Sequence, residues 1–258
     1  MQFLTHSIVS LLATMSFFHI QAQSLSITTT QATSSYYVTD VNGSGIEDAP
    51  IESNYHSKQS TSSLDTKMVA LTFDDGPHAS STEKVLAILK EEHVPGTFFL
   101  IGENVAQYPD LARKIVADGH VIAIHTYDHP KNLPWMTPEH RNWELTATQA
   151  VIESATGVHT SLFRPPYGIM TPQLKTILEG QGYTVIMWNV DPRDWDYRHS
   201  TSDRIIQNVL THLHTHMVVL FHDGRNSDGK HNNLEESLPT VIDELRARGY
   251  NFVTIDKI

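Results

Sequence analysis

From Lys67 onward, short apolar runs alternate with amphipathic stretches. The runs are M-V-A-L-T-F (68–73), G-T-F-F-L-I-G (96–102), H-V-I-A-I (120–124), S-L-F (161–163), Y-T-V-I-M-W (183–188), M-V-V-L-F (217–221) and N-F-V-T-I (251–255). Runs this short, and apolar at nearly every position, predict strands buried on both faces. The stretches between them carry helix punctuation. Thr137-Pro138 and Thr171-Pro172 each place an N-cap before an N1 proline, and Gly119, Gly182 and Gly249 each end a helical segment before the next strand. Strand–helix alternation of this kind implies a parallel sheet covered by helices. Seven strands over about 190 residues suit a small (β/α) barrel of seven or eight strands, closed or incomplete, better than an open sheet.

The pattern is absent before Lys67. Ile8 to Phe18 is an apolar run of signal-peptide length, too short to span a bilayer, and I-Q-A ends at Ala22 as a cleavage site. Residues 1–22 therefore read as a signal peptide, with an uncleaved anchor as the alternative. Residues 23–64 are rich in Ser and Thr and lack apolar periodicity, as a flexible linker does. Residues 65–258 then form one α/β domain. A secreted, periplasmic or cell-surface location follows, with no stable membrane insertion after cleavage and a monomer as the expected state. N-G-S at Asn42 is a formal glycosylation acceptor.

Composition narrows the chemistry. The formal net charge is −11 and no run of Lys or Arg exceeds a pair, which excludes a nucleic-acid footprint. The chain has no cysteine, so thiolate metal sites and cysteine nucleophiles are excluded, while 16 histidines make imidazole chemistry worth tracing.

The residues just after five of the seven runs are Asp74 and Asp75, His125, Arg164, Asn189 with Asp191, and His222 with Asp223. Reactive groups thus collect at the C-terminal ends of the strands, the face on which parallel α/β folds build their sites. In L-T-F-D-D-G-P, Gly76-Pro77 ends the strand at once, so Asp75 falls in a turn and is free of strand alternation. One acid can then bind a metal while the other acts as a base. H-T-Y-D-H puts His125 and His129 at i and i+4, a spacing that brings both imidazoles to one side of a helical turn. Two imidazoles and an Asp from the first strand would make a two-His, one-carboxylate metal site. R-P-P-Y-G brings the Arg164 guanidinium, which would hold a nearby carboxylate ionised. D-P-R-D-W brings a further carboxylate and an aromatic wall. V-V-L-F-H-D-G brings His222, able to serve as a general acid beside a carboxylate.

T-F-D-D (72–75), H-T-Y-D-H (125–129), R-P-P-Y (164–167), D-P-R-D-W (191–195) and V-V-L-F-H-D (218–223) together resemble, in order, the five motifs of the polysaccharide deacetylase family, carbohydrate esterase family 4 or the NodB homology domain. The resemblance implies a distorted (β/α) barrel as the catalytic domain. It also implies that Asp75, His125 and His129 hold a divalent metal, commonly zinc, with cobalt, nickel or manganese accepted. Asp74 would be the general base, oriented by Arg164, and His222 the general acid, tuned by Asp194. Leu220 and Trp195 would line the acetyl-methyl pocket, and the backbone N–H of Tyr167 would help hold the oxyanion. The implied substrate is an N-acetylated polysaccharide or oligosaccharide, such as peptidoglycan or chitin.

Two other functions fit the same segments. One is O-deacetylation, as in an acetylxylan esterase; the other is a non-catalytic sugar-binding module, which would not need Asp74 and His222 together. His212, His214 and His216 form a second histidine cluster, but at the end of an amphipathic segment starting near Ser202 they suit a helix C-terminus better than a metal. His78, His93, His159, His199 and His231 have no partner pattern and are expected at the surface.

Overall fold

The computed structural model describes residues 66–224 and 233–258. The segments expected to be a signal peptide (1–22) and a linker (23–64), together with Asn42 and His231, lie outside the described residues. Every predicted strand is present: β1 (Met68–Asp74), β2 (Thr97–Leu100), β3 (Val121–Ile124), β4 (Leu162–Phe163), β5 (Thr184–Val185), β6 (His216–His222) and β7 (Asn251–Phe252). All pairings are parallel, in the order β5-β4-β3-β2-β1-β6, with β7 paired to the start of β1. Helices intervene: α1 (Ser81–Glu91), α2 (Gly102–Gln107), α3 (Pro109–Ala117), α4 (Pro138–Thr156), α5 (Pro172–Gly180), α6 (Ser202–Leu210) and α7 (Asn233–Ala247). No helix among the described residues is long and apolar enough to cross a membrane.

The capping signals act as the sequence predicts. Thr137 and Thr171 accept hydrogen bonds from the backbone N–H of His140 and Leu174, with proline at the helix start in both cases. Gly119, Gly182 and Gly249 have φ of 87°, 89° and 78° and close α3, α5 and α7. After each of them the next residue's N–H returns to a carbonyl five residues back, as in Tyr250 to Leu245. This double reversal needs a left-handed residue, which glycine supplies without a Cβ clash.

The run at 183–188 departs from a simple strand. Only Thr184 and Val185 form β5, where the N–H groups of Thr184 and Ile186 bond to carbonyls around β4. A few residues later, Asn189 and Val190 bond to Val218 of β6, and Val190 bridges to Val219. A single segment thus serves β4 at one end and β6 at the other, and joins the two edges of the sheet. The fold is a distorted, incomplete barrel in which covalent chain replaces part of the hydrogen-bond ladder.

Strand alternation sorts the side chains. Val69, Leu71 and Phe73 of β1, Ile122 and Ile124 of β3, and Met217, Val219 and Phe221 of β6 join the helices in one buried apolar cluster. The intervening positions, Ala70, Thr72 and Asp74 on β1 and Leu220 and His222 on β6, point the other way, into the barrel. Phe73 stacks between Phe98 (centroids 4.9 Å apart) and Phe221 (5.8 Å) on the outer side. The apolar layer therefore anchors the strands from outside and leaves their inner phase free for polar groups.

Candidate active site

Asp74 is directly opposite His222 in the β1–β6 register, so both end their strands at one level. His125 and Arg164 extend β3 and β4 by one residue, with their N–H groups bonded to Leu100 and Ile124. All four are in the inward phase at the C-terminal ends. The guanidinium of Arg164 is fully buried and 3.9 Å from the Phe99 ring centre. Its Nη1 donates to Asp74 Oδ1 at 2.7 Å and Thr72 Oγ1 at 2.9 Å. Such a charge-assisted contact fixes the orientation of the Asp74 carboxylate.

Asp75 lies past the strand end with φ 72°, so its side chain is released from the alternation of β1. Its Oδ1 lies 3.4 Å from His125 Nε2 and 3.2 Å from His129 Nε2, and takes no hydrogen bond. Among the described residues these three form the one His/Cys/Asp/Glu group with metal-holding geometry, their ligand atoms all within 4.8 Å. Burial disfavours the Asp75 carboxylate, but the neighbouring imidazoles hold its pKa well below the usual range. His125 Nδ1 lies 2.8 Å from the Arg164 carbonyl, which can only accept, so Nδ1 carries the proton and Nε2 is the free ligand atom. Two ring nitrogens and an orphaned carboxylate oxygen facing one point fit a divalent cation.

The helical turn expected for 125–129 is not what brings the histidines together. The segment is a turn with Thr126 at φ 67° and His129 at φ 59°. Left-handed residues reverse the chain within five positions, and His129 comes back beside His125 with ring centres 4.9 Å apart.

On the far side, Asp194 faces His222. Its Oδ1 is 2.9 Å from His222 Nδ1 and its Oδ2 accepts from the His222 backbone N–H at 2.8 Å. Burial would lower the pKa of this imidazole, but Asp194, with Asp75 and Asp74 behind it, pushes it up to about 10. The groups open into a cleft of about 380 Å³ walled by Tyr167, Trp188, Trp195 and Leu220. Tyr167 has φ 57°, its ring tilted against His129 with centroids 4.5 Å apart and Lys131 Nζ 5.0 Å from its ring centre. Asp191 accepts from Arg193 N–H and Trp195 Nε1, which fixes that loop.

The family model described as polysaccharide deacetylase matches residues 61–186. A chitooligosaccharide deacetylase of Azorhizobium caulinodans is 34% identical over 191 residues, covering 70% of this chain and 90% of the relative. The chain belongs to the polysaccharide deacetylase family. The peptidoglycan-N-acetylglucosamine deacetylase PgdA of Listeria monocytogenes is 37% identical over 192 residues, which is 74% of this chain and 39% of that protein. The chain therefore spans about two fifths of the Listeria protein's length. Among solved structures, the Bc1960 peptidoglycan N-acetylglucosamine deacetylase, bound to a substituted N-hydroxybenzamide, superposes with a TM-score of 0.70 at 34% identity, covering 74% of this chain and 86% of that one.

Every residue singled out from the polysaccharide deacetylase motifs reaches this cleft or bonds to a residue that does. The three histidines at 212–216 do not; all are exposed, and His212 Nδ1 is bonded back to the Asn208 carbonyl. Sequence reasoning missed Trp188, Thr72 and the interlock behind the two acids. That interlock joins the turns after β1 and β6. Asp223 is fully buried, takes a 2.5 Å bond from Thr82 Oγ1, and bonds through its N–H to the Asp74 carbonyl. A Cβ on Gly76 would come within 2.5 Å of the Asp223 carboxylate, and a Cβ on Gly224 would collide with the Asp75 Cβ. The D-D-G and H-D-G spellings are mirror halves of this contact, a signal the sequence did carry.

Proposed function

We propose that this chain is a metal-dependent hydrolase that removes N-acetyl groups from N-acetylglucosamine-containing glycans, releasing acetate and a free amine. The observation that carries the reading is Asp75 Oδ1 meeting two imidazole nitrogens, with Asp74 beside them and His222 across the cleft. Asp75, His125 and His129 would hold the metal, with zinc the first choice for two imidazoles and one carboxylate. When bound, that ion supplies Lewis acidity toward the acetyl carbonyl and a lowered pKa for water.

The protein's own groups do the proton work. Asp74, oriented by its bond from Arg164, takes a proton from the attacking water. The Tyr167 backbone N–H donates to the oxyanion as the carbonyl carbon becomes tetrahedral. His222, held protonated by Asp194, gives its proton to the departing nitrogen, which would otherwise leave as a strongly basic anion. The C–N bond breaks, a C–O bond has formed, and acetate and amine balance amide plus water. Leu220 and Trp195 form the apolar end of the cleft for the acetyl methyl. Peptidoglycan and chito-oligosaccharides are the substrates that the relatives' names suggest, and the first would put the enzyme outside the cytoplasm, in keeping with a leader at 1–22 and a linker at 23–64.

Acetate release from acetylated chito-oligosaccharides, peptidoglycan and acetylxylan, with and without chelator, tests the reading. Release from the N-acetylated glycans that chelator stops and zinc restores is expected. Release from acetylxylan alone would turn the assignment to an esterase, and none from any substrate with any divalent ion would sink it.

A further inference from the structure

Glu144 lies within α4 with its side chain fully buried, an uncommon place for a carboxylate. Its Oε2 accepts hydrogen bonds from the backbone N–H of Tyr127 at 2.8 Å and of Asp128 at 3.3 Å. Both donors belong to the turn that begins at His125 and ends at His129. Oε1 takes no hydrogen bond and lies 3.9 Å from His140 Nε2. The carboxylate is therefore committed to the turn.

That turn needs holding. Thr126 and His129 both occupy the left-handed region, which strains any residue with a Cβ and a β-branched one most. Such conformations persist only where the surroundings over-determine them. Here the start of α2 grips the turn's carbonyls, with Gly102 N–H donating to Thr126 at 2.9 Å and Glu103 N–H to Tyr127 at 3.0 Å. A Cβ on Gly102 would come within 2.5 Å of Tyr127 Cδ2, so the glycine permits that approach. Glu144 grips the same turn's N–H groups from the opposite helix.

We propose that Glu144 is a positioning residue for the metal centre, fixing the 125–129 turn so that both imidazoles meet Asp75 at one point. The inference rests on the metal-site reading above. The reach of the acceptor, more than its charge, sets the turn, because two backbone donors must be met from one helix position.

Zinc titration of the metal-stripped full chain, in competition with a chromophoric chelator, tests this. Glu144→Asp keeps the charge and loses the reach; it should bind zinc about 10- to 100-fold more weakly, the usual effect of removing a partner that orients a ligand. Glu144→Gln keeps the reach and loses the charge; it should stay within about threefold of wild type. Melting of the metal-free variants is recorded alongside, since a purely structural role would lower both melting temperatures and leave zinc affinity unchanged. Wild-type affinity in Glu144→Asp overturns the inference, and so does a Glu144→Gln as weak as Glu144→Asp. If Glu144→Asp does not fold, amide exchange in the wild-type chain decides. Zinc should then slow exchange at Tyr127 and Asp128 by about tenfold or more, and unchanged exchange overturns the inference. A wild-type chain that takes up no zinc overturns the metal-site reading, and this inference with it.

Discussion

Asp194 holds His222 at two points, one oxygen on the ring Nδ1 at 2.9 Å and the other on the backbone N–H at 2.8 Å. The double contact sets both the ring's orientation and its proton affinity. With Nδ1 engaged by the carboxylate, Nε2 is left to face the cleft as the donor.

Asp194→Asn should therefore pull the alkaline limb of the kcat/KM profile toward lower pH. Burial would now act with less opposition on an imidazole that the carboxylate otherwise pushes up to about 10. The sign follows from His222 working as an acid: its active form is the protonated one, lost as pH rises through its pKa. A pH series of acetate release on both proteins measures the shift. An unmoved alkaline limb would remove His222 from the acid's role.

The adjacent acids should fail differently. Asp74→Asn should lower kcat by about 10²- to 10⁴-fold while zinc uptake stays at the wild-type level. Asp75→Asn should lose zinc affinity by more than the roughly 10- to 100-fold typical of an outer-shell change, with activity partly regained at high metal. Metal content after dialysis, measured beside turnover, separates the two.

Arg164→Lys should not behave as a conservative change. One ammonium cannot reproduce the bonds of Nη1 to Asp74 and Thr72 and of Nε to the Ile186 carbonyl, nor the stacking on Phe99. A loss of about 1–3 kcal/mol in stability is expected from the unmet partners. A misplaced Asp74 should also lower kcat by about 10²-fold. Denaturant melts and steady-state kinetics report these separately.

Gly76→Ala should destabilise the protein by about 1–3 kcal/mol, because its new Cβ meets the Asp223 carboxylate. The same substitution made in an Asp223→Ala background should cost less, with a coupling of about 0.5–3 kcal/mol in a double-mutant cycle. Additive losses would mean that the two turns do not interlock. Burial pushes the Asp223 carboxyl up to about 7 against its Thr82 bond, so the cycle is best run below that pH, where the wild-type group is neutral.

Local signals in the sequence carried far. All seven strands, the Thr-Pro caps and the glycine ends were legible because each rests on a few consecutive residues. The five motifs were legible because parallel strands deliver their C-terminal ends to one face. Other features depend on contacts distant in sequence. The 125–129 spacing also matches a helical turn, and the left-handed one is met by contacts from Glu144 and α2, both distant in sequence. Glu144 itself reads as one more polar position on an amphipathic helix. Trp188 looked like the end of an apolar strand, because nothing local shows that the strand stops at Val185.

The join between Val185 and Val190 bears on how this protein could be altered. Elsewhere in the ring, neighbouring strands are held by hydrogen-bond ladders. Here the circumference is fixed by a count of residues along one backbone. Trp188 sits within that count and Asp191 just beyond it, so the width of the substrate mouth is tied to the same length of chain. Lengthening or shortening this segment would act as a gauge on the opening, resizing it without touching a reacting group.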